Sequence, residues 1–256
     1  MTTKIFFSLL SISLILSCKK TDAPADSNNN NGNNQVTDTS LAVYRKIYGA
    51  SSITTDGVTV TIQTTGSPDH KSVYYPTNHP QFESFSGNTF NGVRFVQNPN
   101  RIIPQTYTFK IPRKPQASVN HPATPLGPIG VAINGVPLFN QYAGPNQPLT
   151  GEIVSFDQSW GHPAPGGRYH YHVEPLYLTT VKASKSALMG FLLDGFPVYG
   201  PEENNSLVLN SQLDAYHGHS HATPEYPGGI YHYHITNTDP YINGSGFYGT
   251  PGTVSQ

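Results

Sequence analysis

Alternating apolar and polar residues predict short β-strands in the first part of the chain. Val58–Gln63 reads Val-Thr-Val-Thr-Ile-Gln, which is the period-two pattern of a half-buried strand. Ile53–Val58 precedes it with a strand-and-turn pattern, in which Asp56-Gly57 is a hairpin signal. Gly92–Val96 and Thr106–Ile111 have the β-branched and aromatic composition of further strands.

Three stretches depart from this pattern. Residues 112–128 contain five prolines, which cannot pair in the middle of a sheet, so we expect an extended loop there. Leu41–Ser51 fits either a short helix or a strand that leads into the domain. Lys182–Leu188, with the Met-Gly pair that follows it, indicates a helical turn.

From about residue 128 onward the chain repeats itself. Three blocks recur in the same order at offsets of 60, 57 and 62 residues, counted from 133 to 193, from 157 to 214 and from 166 to 228. Such similar offsets indicate an internal duplication with changed loop lengths. The repeats cover about 129–178 and 189–240. The matched blocks are Ile133–Phe139 with Leu193–Tyr199, Asp157–His162 with Asp214–His219, and Gly166–His172 with Gly228–His234.

Each repeat contains the tetrapeptide Tyr-His-Tyr-His, at 169–172 and at 231–234. Side chains alternate between the two faces of a strand, so both histidines of a copy point one way and both tyrosines the other. Residues i and i+2 of a strand are about 6–7 Å apart, and two imidazoles at that spacing can converge on one metal ion. The tetrapeptide therefore predicts a metal-binding strand in each half, with the tyrosines packed between layers on the other face.

Each repeat also supplies a Gly-His pair before its tetrapeptide, which gives two matching sets of three histidines. Three imidazoles suffice for a copper or zinc site, and we expect copper first in an extracytoplasmic setting and zinc second. Structural histidines that bridge backbone groups are the alternative. The candidate metal ligands are His162, His170, His172, His219, His232 and His234.

Residues that orient such histidines are also candidates. Asp157 and Asp214 each lie five residues before the Gly-His histidine and could hydrogen-bond to a ligand. His70 lies in a Pro-Asp-His turn, where it could add a ligand, orient one, or belong to a turn without further role. His217 and His221 have no counterparts in the first repeat and are either additional ligands or part of an exposed loop.

The duplication suggests a pseudo-two-fold arrangement with both histidine strands near a shared axis. One ion would then bind between the two halves. Two separate sites, one in each half, are the alternative.

The N-terminus predicts export and a lipid anchor. Met1–Ser17 carries a mostly apolar run over Ile5–Leu16, which is too short to span a bilayer and is typical of a secretory signal. The residues around Cys18 resemble a bacterial lipobox, and Cys18 is the only cysteine, so we expect it to be lipidated. A plain secretory signal is the alternative. Residues 18–40 are polar and Asn-rich, which predicts a disordered tether.

The residue after the predicted lipidation site is Lys19. In bacterial lipoprotein sorting an aspartate at this position favours retention at the inner membrane, so by analogy we expect an outer-membrane lipoprotein of the cell envelope. The predicted partner is the membrane itself, which the protein would contact through its N-terminal lipid. The face of the membrane and any protein partner stay open.

Composition narrows the class of protein further. The net charge is −1, only 11% of residues are charged and no basic patch occurs, which argues against nucleic-acid binding. The 23 prolines and 24 glycines are typical of a turn-rich secreted β protein. Because Cys18 is the only cysteine, a thiol-based mechanism in the domain is excluded.

The repeated blocks resemble the YHYH domain family of bacterial secreted proteins and lipoproteins, which is named for this tetrapeptide. The resemblance runs from about Gly66 to Gly252 and rests on Asn134–Pro137, Asp194–Gly200, Leu213–His219 and both tetrapeptides. The resemblance brings no established reaction with it.

Together these patterns predict an all-β fold for residues 41–256, a duplicated sandwich- or barrel-like domain with long Pro/Gly-rich loops and a pseudo-two-fold repeat. Whether residues 41–128 form a separate domain stays open. We expect an extracytoplasmic lipoprotein that binds copper or zinc through its histidine clusters. The alternatives are a metal-dependent hydrolase or oxidoreductase, with Asp157 or Asp214 as base, and an adhesion or glycan-binding module with structural histidines.

Overall fold

Short strands make up most of the regular structure, and they form two large sheets and two small hairpins. The computed structural model describes Met1, residues 41–244 and residues 246–256. The predicted signal beyond Met1, Cys18 and the tether therefore lie outside the described residues.

The strands are β1 Ser52–Thr55, β2 Thr59–Thr64, β3 Tyr107–Pro112, β4 Pro128–Ala132, β5 Pro137–Phe139, β6 Tyr142–Ala143, β7 Gln147–Pro148, β8 Gly161–Ala164, β9 Arg168–Tyr171, β10 Leu188–Leu192, β11 Pro197–Tyr199, β12 Glu202–Glu203, β13 Ser206–Leu207, β14 Gly218–His221, β15 Ile230–His234 and β16 Thr253–Ser255. The helical turns are α1 Thr150–Ile153, three 3₁₀ turns at Tyr44–Lys46, Phe90–Gly92 and Asn210–Gln212, and a π-helical turn at Leu178–Lys182.

The first sheet is antiparallel, in the order β1-β2-β3-β16. Both central strands were predicted, and the alternation predicted for β2 is confirmed, because Val60 and Ile62 are buried. Phe109 and Ile111 of β3 are buried in the same alternating way. The turn that joins β1 to β2 contains Asp56-Gly57, as predicted.

The second sheet has eight strands in the order β14-β15-β11-β10-β4-β5-β9-β8. Each half contributes four strands with the same pairings: β4–β5 and β10–β11 are antiparallel, β5–β9 and β11–β15 are parallel, and β8–β9 and β14–β15 are antiparallel. The halves meet where β4 pairs with β10 in antiparallel orientation. The sheet thus has the pseudo-two-fold order that the duplication suggested.

This order corrects the expected position of the axis. The two halves meet at β4 and β10, whereas the histidine strands β9 and β15 lie next to opposite edges of the sheet with four strands between them. The shared-axis arrangement is therefore wrong, and the two sets of histidines are separate.

The Asn134-Gly135 and Asp194-Gly195 pairs form tight turns, the first between β4 and β5 and the second between β10 and β11. Gly135 has φ +82° and Gly195 has φ +84°, a left-handed conformation that glycine adopts without steric cost. The first of these turns also contacts the other sheet, since the Thr64 hydroxyl donates to the Gly135 carbonyl at 2.8 Å. One continuous hydrophobic core joins the two sheets.

Both sheets are open, so the fold is all-β and sandwich-like, without a closed barrel among the described residues. Residues 113–127 connect β3 to β4, as the prolines predicted, although Pro112 is the last residue of β3 and Pro128 the first of β4. The described part of the chain contains no helix with the length and apolar character needed to cross a bilayer.

Several local predictions differ from the structure. Gly92–Val96 is not a strand, because Asn91 and Gly92 adopt left-handed turn conformations and leave only an isolated bridge between Asn88 and Arg94. The helical turn predicted at Lys182–Leu188 lies earlier, at Leu178–Lys182.

The strands that were not predicted include β8 and β16. β8 includes Pro163, which a sheet accepts only because β8 is an edge strand. The chain's C-terminal strand, β16, completes the first sheet beside β3, so this sheet combines both ends of the described region.

Gly135 provides a test of this architecture. A Cβ atom there would lie 2.5 Å from the Thr64 Oγ1 and 2.7 Å from the Gly49 carbonyl oxygen. We expect Gly135→Ala to lower the free energy of unfolding by about 2 kcal/mol or more, through backbone strain and overlap. Gly228→Ala is the matched control, because a Cβ atom at Gly228 meets no other atom within 4 Å. Equal urea midpoints for the two variants would contradict the turn geometry.

Candidate metal centres

Two antiparallel strand pairs present the histidines at the edges of the large sheet. His162 of β8 lies directly opposite His170 of β9, and His219 of β14 lies opposite His232 of β15. A third histidine follows two residues later in each tetrapeptide and shares the same face. The duplication thus builds one cluster per half, from a cross-strand pair and its neighbour.

Site 1 consists of Glu152, His162, His170 and His172. The Nε2 atom of His170 lies 3.1 Å from that of His162 and 2.9 Å from that of His172. A Glu152 Oε2 atom lies 3.4 Å from the Nε2 of His162 and 3.5 Å from that of His172. Donor atoms bound tetrahedrally at about 2.0–2.1 Å from one ion are about 3.3 Å apart, so this spacing fits a single metal ion.

The outer ring nitrogens in site 1 fix the tautomers. The Nδ1 of His170 lies 2.9 Å from the Arg168 carbonyl oxygen, and the Nδ1 of His172 lies 2.5 Å from the Asn140 carbonyl oxygen. A carbonyl oxygen only accepts hydrogen bonds, so both Nδ1 atoms carry the proton. The Nε2 atom of each neutral ring is therefore bare and presents a lone pair to the centre of the site.

His162 reaches the same state through a hydroxyl group. The Ser155 hydroxyl donates to the Glu152 carbonyl oxygen at 2.8 Å, which uses its only proton. Ser155 Oγ must then accept from the Nδ1–H of His162, 2.7 Å away. The Nε2 lone pairs of all three site 1 histidines therefore point towards one another. Such lone pairs repel unless a cation lies between them.

Site 2 consists of Glu203, His219, His221, His232 and His234. The first four offer ligand atoms that all lie within 4.8 Å of one another. The Nε2 of His221 lies 3.1 Å from that of His219 and 2.6 Å from Glu203 Oε1, and the Nε2 of His234 lies 3.9 Å from the same oxygen.

His232 and His234 of site 2 are oriented in the same way as the rings of site 1. Their Nε2 atoms face inward without protons, and both are buried with no hydrogen-bond partner in the described part of the chain. A buried acceptor with no partner is destabilising unless something else binds it. The Nδ1 atoms of His221, His232 and His234 donate to the carbonyl oxygens of Ala222, Ile230 and Gly200, at 2.9, 3.0 and 2.9 Å.

Burial keeps the rings of His170, His172, His232 and His234 neutral at physiological pH. It lowers the pKa of His170 well below its usual range and lowers the pKa of His172 to about 4. Burial likewise lowers the pKa of His232 and His234 to about 4. Neutral imidazoles are the form that binds a metal, so protons compete weakly for these nitrogens at neutral pH.

The carboxylate of each site comes from a different element. Glu152 lies in α1, whereas Glu203 lies in the hairpin β12–β13. The equivalent hairpin of the first half, β6–β7, has Ala143 at the position of Glu203, sixty residues earlier (143 to 203). Neither glutamate has a counterpart in the other half, so the repeat pattern in the sequence does not point to them.

All six histidines chosen from the sequence lie in the two clusters, and His221 joins site 2 as an additional member. His217 does not join. It is buried at the position equivalent to Trp160, and its Nε2 lies 3.0 Å from the Thr236 hydroxyl.

The residues expected to orient the ligands lie on the other face of the strands, so that prediction is wrong. The Tyr169 hydroxyl donates to Asp157 at 2.9 Å, and the Tyr231 hydroxyl donates to Asp214 at 2.9 Å. Strand alternation is the reason, because the tyrosines face away from the histidines. Neither aspartate is positioned to act as a base at a metal on the histidine face.

His70 also belongs to the tyrosine face. Its Nε2 lies 2.9 Å from the Tyr171 hydroxyl and its Nδ1 lies 2.8 Å from the Lys71 carbonyl oxygen. The Asn134 amide donates to the same hydroxyl at 3.1 Å. His70 therefore supports the packing of Tyr171 and does not contact site 1.

The surroundings of the two sites differ. Site 1 lies in the wall of a cleft of about 650 Å³, which His162, His170, His172 and Glu152 help to line. Site 2 instead meets solvent through His221, whose side chain is 41% exposed.

Comparison with known proteins identifies the family of the chain and no individual relative. A family model described as "YHYH protein" matches residues 108–208 and 202–246, which include both sites. No curated protein and no solved structure matches the chain.

His217 allows a pH effect to be measured on the metal-free protein. Burial lowers its pKa to about 4, against ~6.5 for an unfolded chain. Between these values the unfolded chain binds a proton that the folded protein does not, so the stability attached to neutral His217 is lost as pH falls from 6.5 towards 4. Relative to His217→Gln, the wild type should lose up to about 1.4 kcal/mol per pH unit in that window.

Urea unfolding of both metal-free chains at pH 7 and pH 5 measures this difference. A gap between wild type and variant that stays constant across these two values would contradict the assignment of a buried, neutral His217.

Proposed function

The chain belongs to the YHYH protein family, and we propose that it binds transition-metal ions at two imidazole-rich sites, one in each half of the duplication. The observation that carries this proposal is the convergence of bare Nε2 atoms. At site 1 three Nδ1-protonated rings place their Nε2 atoms about 3 Å apart. Neutral acceptors held this close repel one another unless a cation lies between them.

The donor set favours copper or zinc. Both sites consist of imidazoles and one carboxylate, without thiolate or thioether, and imidazole suits Cu(II) and Zn(II). Copper is our first choice for an extracytoplasmic protein and zinc the second.

The extracytoplasmic setting rests on the sequence. The apolar segment before Cys18 supports export, and Cys18 itself supports a lipid anchor at the outer membrane. We propose that the domain handles metal ions in the cell envelope, on a tether formed by residues 18–40.

A metal-dependent hydrolase or oxidoreductase is the second candidate, and the cleft beside site 1 favours it. A catalytic metal needs a position open to substrate, and only residues on the histidine face could serve it. Glu152 is the carboxylate in reach there, since its Oε2 lies 3.4 Å from the Nε2 of His162. Metal handling without turnover and catalysis both require the same metal centres.

Metal stoichiometry tests the proposal. We expect the wild-type protein to bind two ions of copper or zinc per chain, because sites 1 and 2 are separate. The double variant His170→Ala/His172→Ala should bind one ion, and so should His232→Ala/His234→Ala. His79→Ala is the control, since His79 stacks on Tyr75 away from both sites. Elemental analysis after reloading and dialysis provides the count.

Absence of retained metal, with an unchanged melting temperature after reloading, would contradict the proposal. It would favour structural histidines and the adhesion or glycan-binding alternative, in which binding survives removal of metal.

The two glutamates give a site-specific prediction. Glu152→Gln should weaken metal binding at site 1 by about tenfold or more and leave site 2 unchanged, because it removes a charged donor. Glu203→Gln should have the reverse effect. Isothermal titration with zinc resolves the two affinities, and a variant that weakens both sites equally would contradict the assignment of one glutamate to each site.

A further inference from the structure

The two halves differ at one pair of facing residues beside the histidines. In site 2, His221 of β14 pairs with Ile230 of β15. At the equivalent place in site 1, Ala164 of β8 pairs with Arg168 of β9. Each residue of these pairs lies two positions from a site histidine and therefore on the histidine face of its strand.

His221 completes site 2 from the protein itself. Its Nε2 lies 3.1 Å from the Nε2 of His219 and 2.6 Å from Glu203 Oε1. Site 2 thus offers four imidazoles and a carboxylate. The methyl group of Ala164 cannot bind a metal, so site 1 has one donor fewer, and the missing donor is the one that His221 provides in site 2.

The place left by this missing histidine opens on the cleft of about 650 Å³. Ala164 and Arg168 both line the cleft, together with the amide side chains of Asn98 and Asn100. Phe139 adds an aromatic wall and stacks on His170 with 3.9 Å between ring centroids. A molecule in this cleft can therefore approach the metal position of site 1 directly.

Arg168 gives the cleft a positive charge. Its Nε donates to the Pro165 carbonyl oxygen at 3.1 Å, which holds the side chain over the turn. Among residues 41–244 and 246–256 it forms no ion pair with a carboxylate, and Glu152 is the acidic residue that lines the cleft. The planar guanidinium group binds carboxylates through two parallel hydrogen bonds.

From these observations we infer that site 1 takes a small organic carboxylate from the cleft as an additional ligand of its metal, with Arg168 as the recognition residue, whereas site 2 is closed by His221. This inference rests on the proposed metal binding. The apolar and aromatic parts of the cleft favour an organic carboxylate over inorganic phosphate, which is the competing oxyanion.

Spectroscopy of the copper-loaded full chain tests the inference. Copper content is first measured for each protein, so a failure of metal binding is seen separately from a failure of anion binding. Benzoate is then titrated into His232→Ala/His234→Ala, which keeps site 1, and into His170→Ala/His172→Ala, which keeps site 2. We expect benzoate to change the visible and electron paramagnetic resonance spectra of the first protein only.

Two substitutions in the site 1 protein sharpen the test. Ala164→His should retain copper and lose the response to benzoate, because it supplies the donor that His221 gives to site 2. Arg168→Gln changes a partly exposed side chain and should raise the Kd for benzoate by about tenfold or more at unchanged copper content.

An equal response of both sites to benzoate would overturn the inference, as would an Arg168→Gln variant with unchanged affinity. A response to inorganic phosphate without one to benzoate would overturn the assignment to organic carboxylates.

Discussion

The hydrogen bonds from histidine Nδ1 atoms to fixed acceptors determine what these two sites can do. At site 1 the acceptors are two backbone carbonyls and the hydroxyl of Ser155, whose own proton is already donated. Each bond fixes both the orientation of a ring and its tautomer, so that a lone pair faces the centre of the site. Burial then keeps the rings of His170 and His172 neutral by lowering their pKa. Without these bonds, the same histidines could turn or take the other tautomer.

Duplication places such a site near each edge of one continuous sheet. The antiparallel pairing of β4 with β10 joins the halves, and the histidine strands lie far from that junction. Near an edge, each site has fewer strands around it, and loops can supply different partners. In site 1 the carboxylate is Glu152 of α1. In site 2 it is Glu203 of the β12–β13 hairpin, and β14 adds His221. The shared strands therefore preserve the three imidazoles, while the surroundings let the two sites diverge.

The sequence predicted those parts of the fold that depend on local periodicity. Alternation identified β2, composition identified β3, the Asp56-Gly57 pair identified a turn, and the tetrapeptide identified histidines that share a face. Non-local features were not accessible in this way. A repeat in the sequence does not reveal which strands of the two halves pair at the axis. The segment that forms the edge strand β8 contains Pro163, so its sequence does not have the pattern of a strand. Glu152 and Glu203 come close to the histidines only through tertiary folding, and neither has a counterpart in the other half.

The central claim is that the site histidines present bare Nε2 atoms before any metal binds. Long-range ¹H–¹⁵N correlation spectra of the ¹⁵N-labelled, metal-free protein at pH 7 measure the tautomer of each ring. The account predicts Nδ1-protonated, neutral rings for His170 and His172 at site 1 and for His232 and His234 at site 2. Rings that carry the proton on Nε2, or both protons as imidazolium, would contradict it.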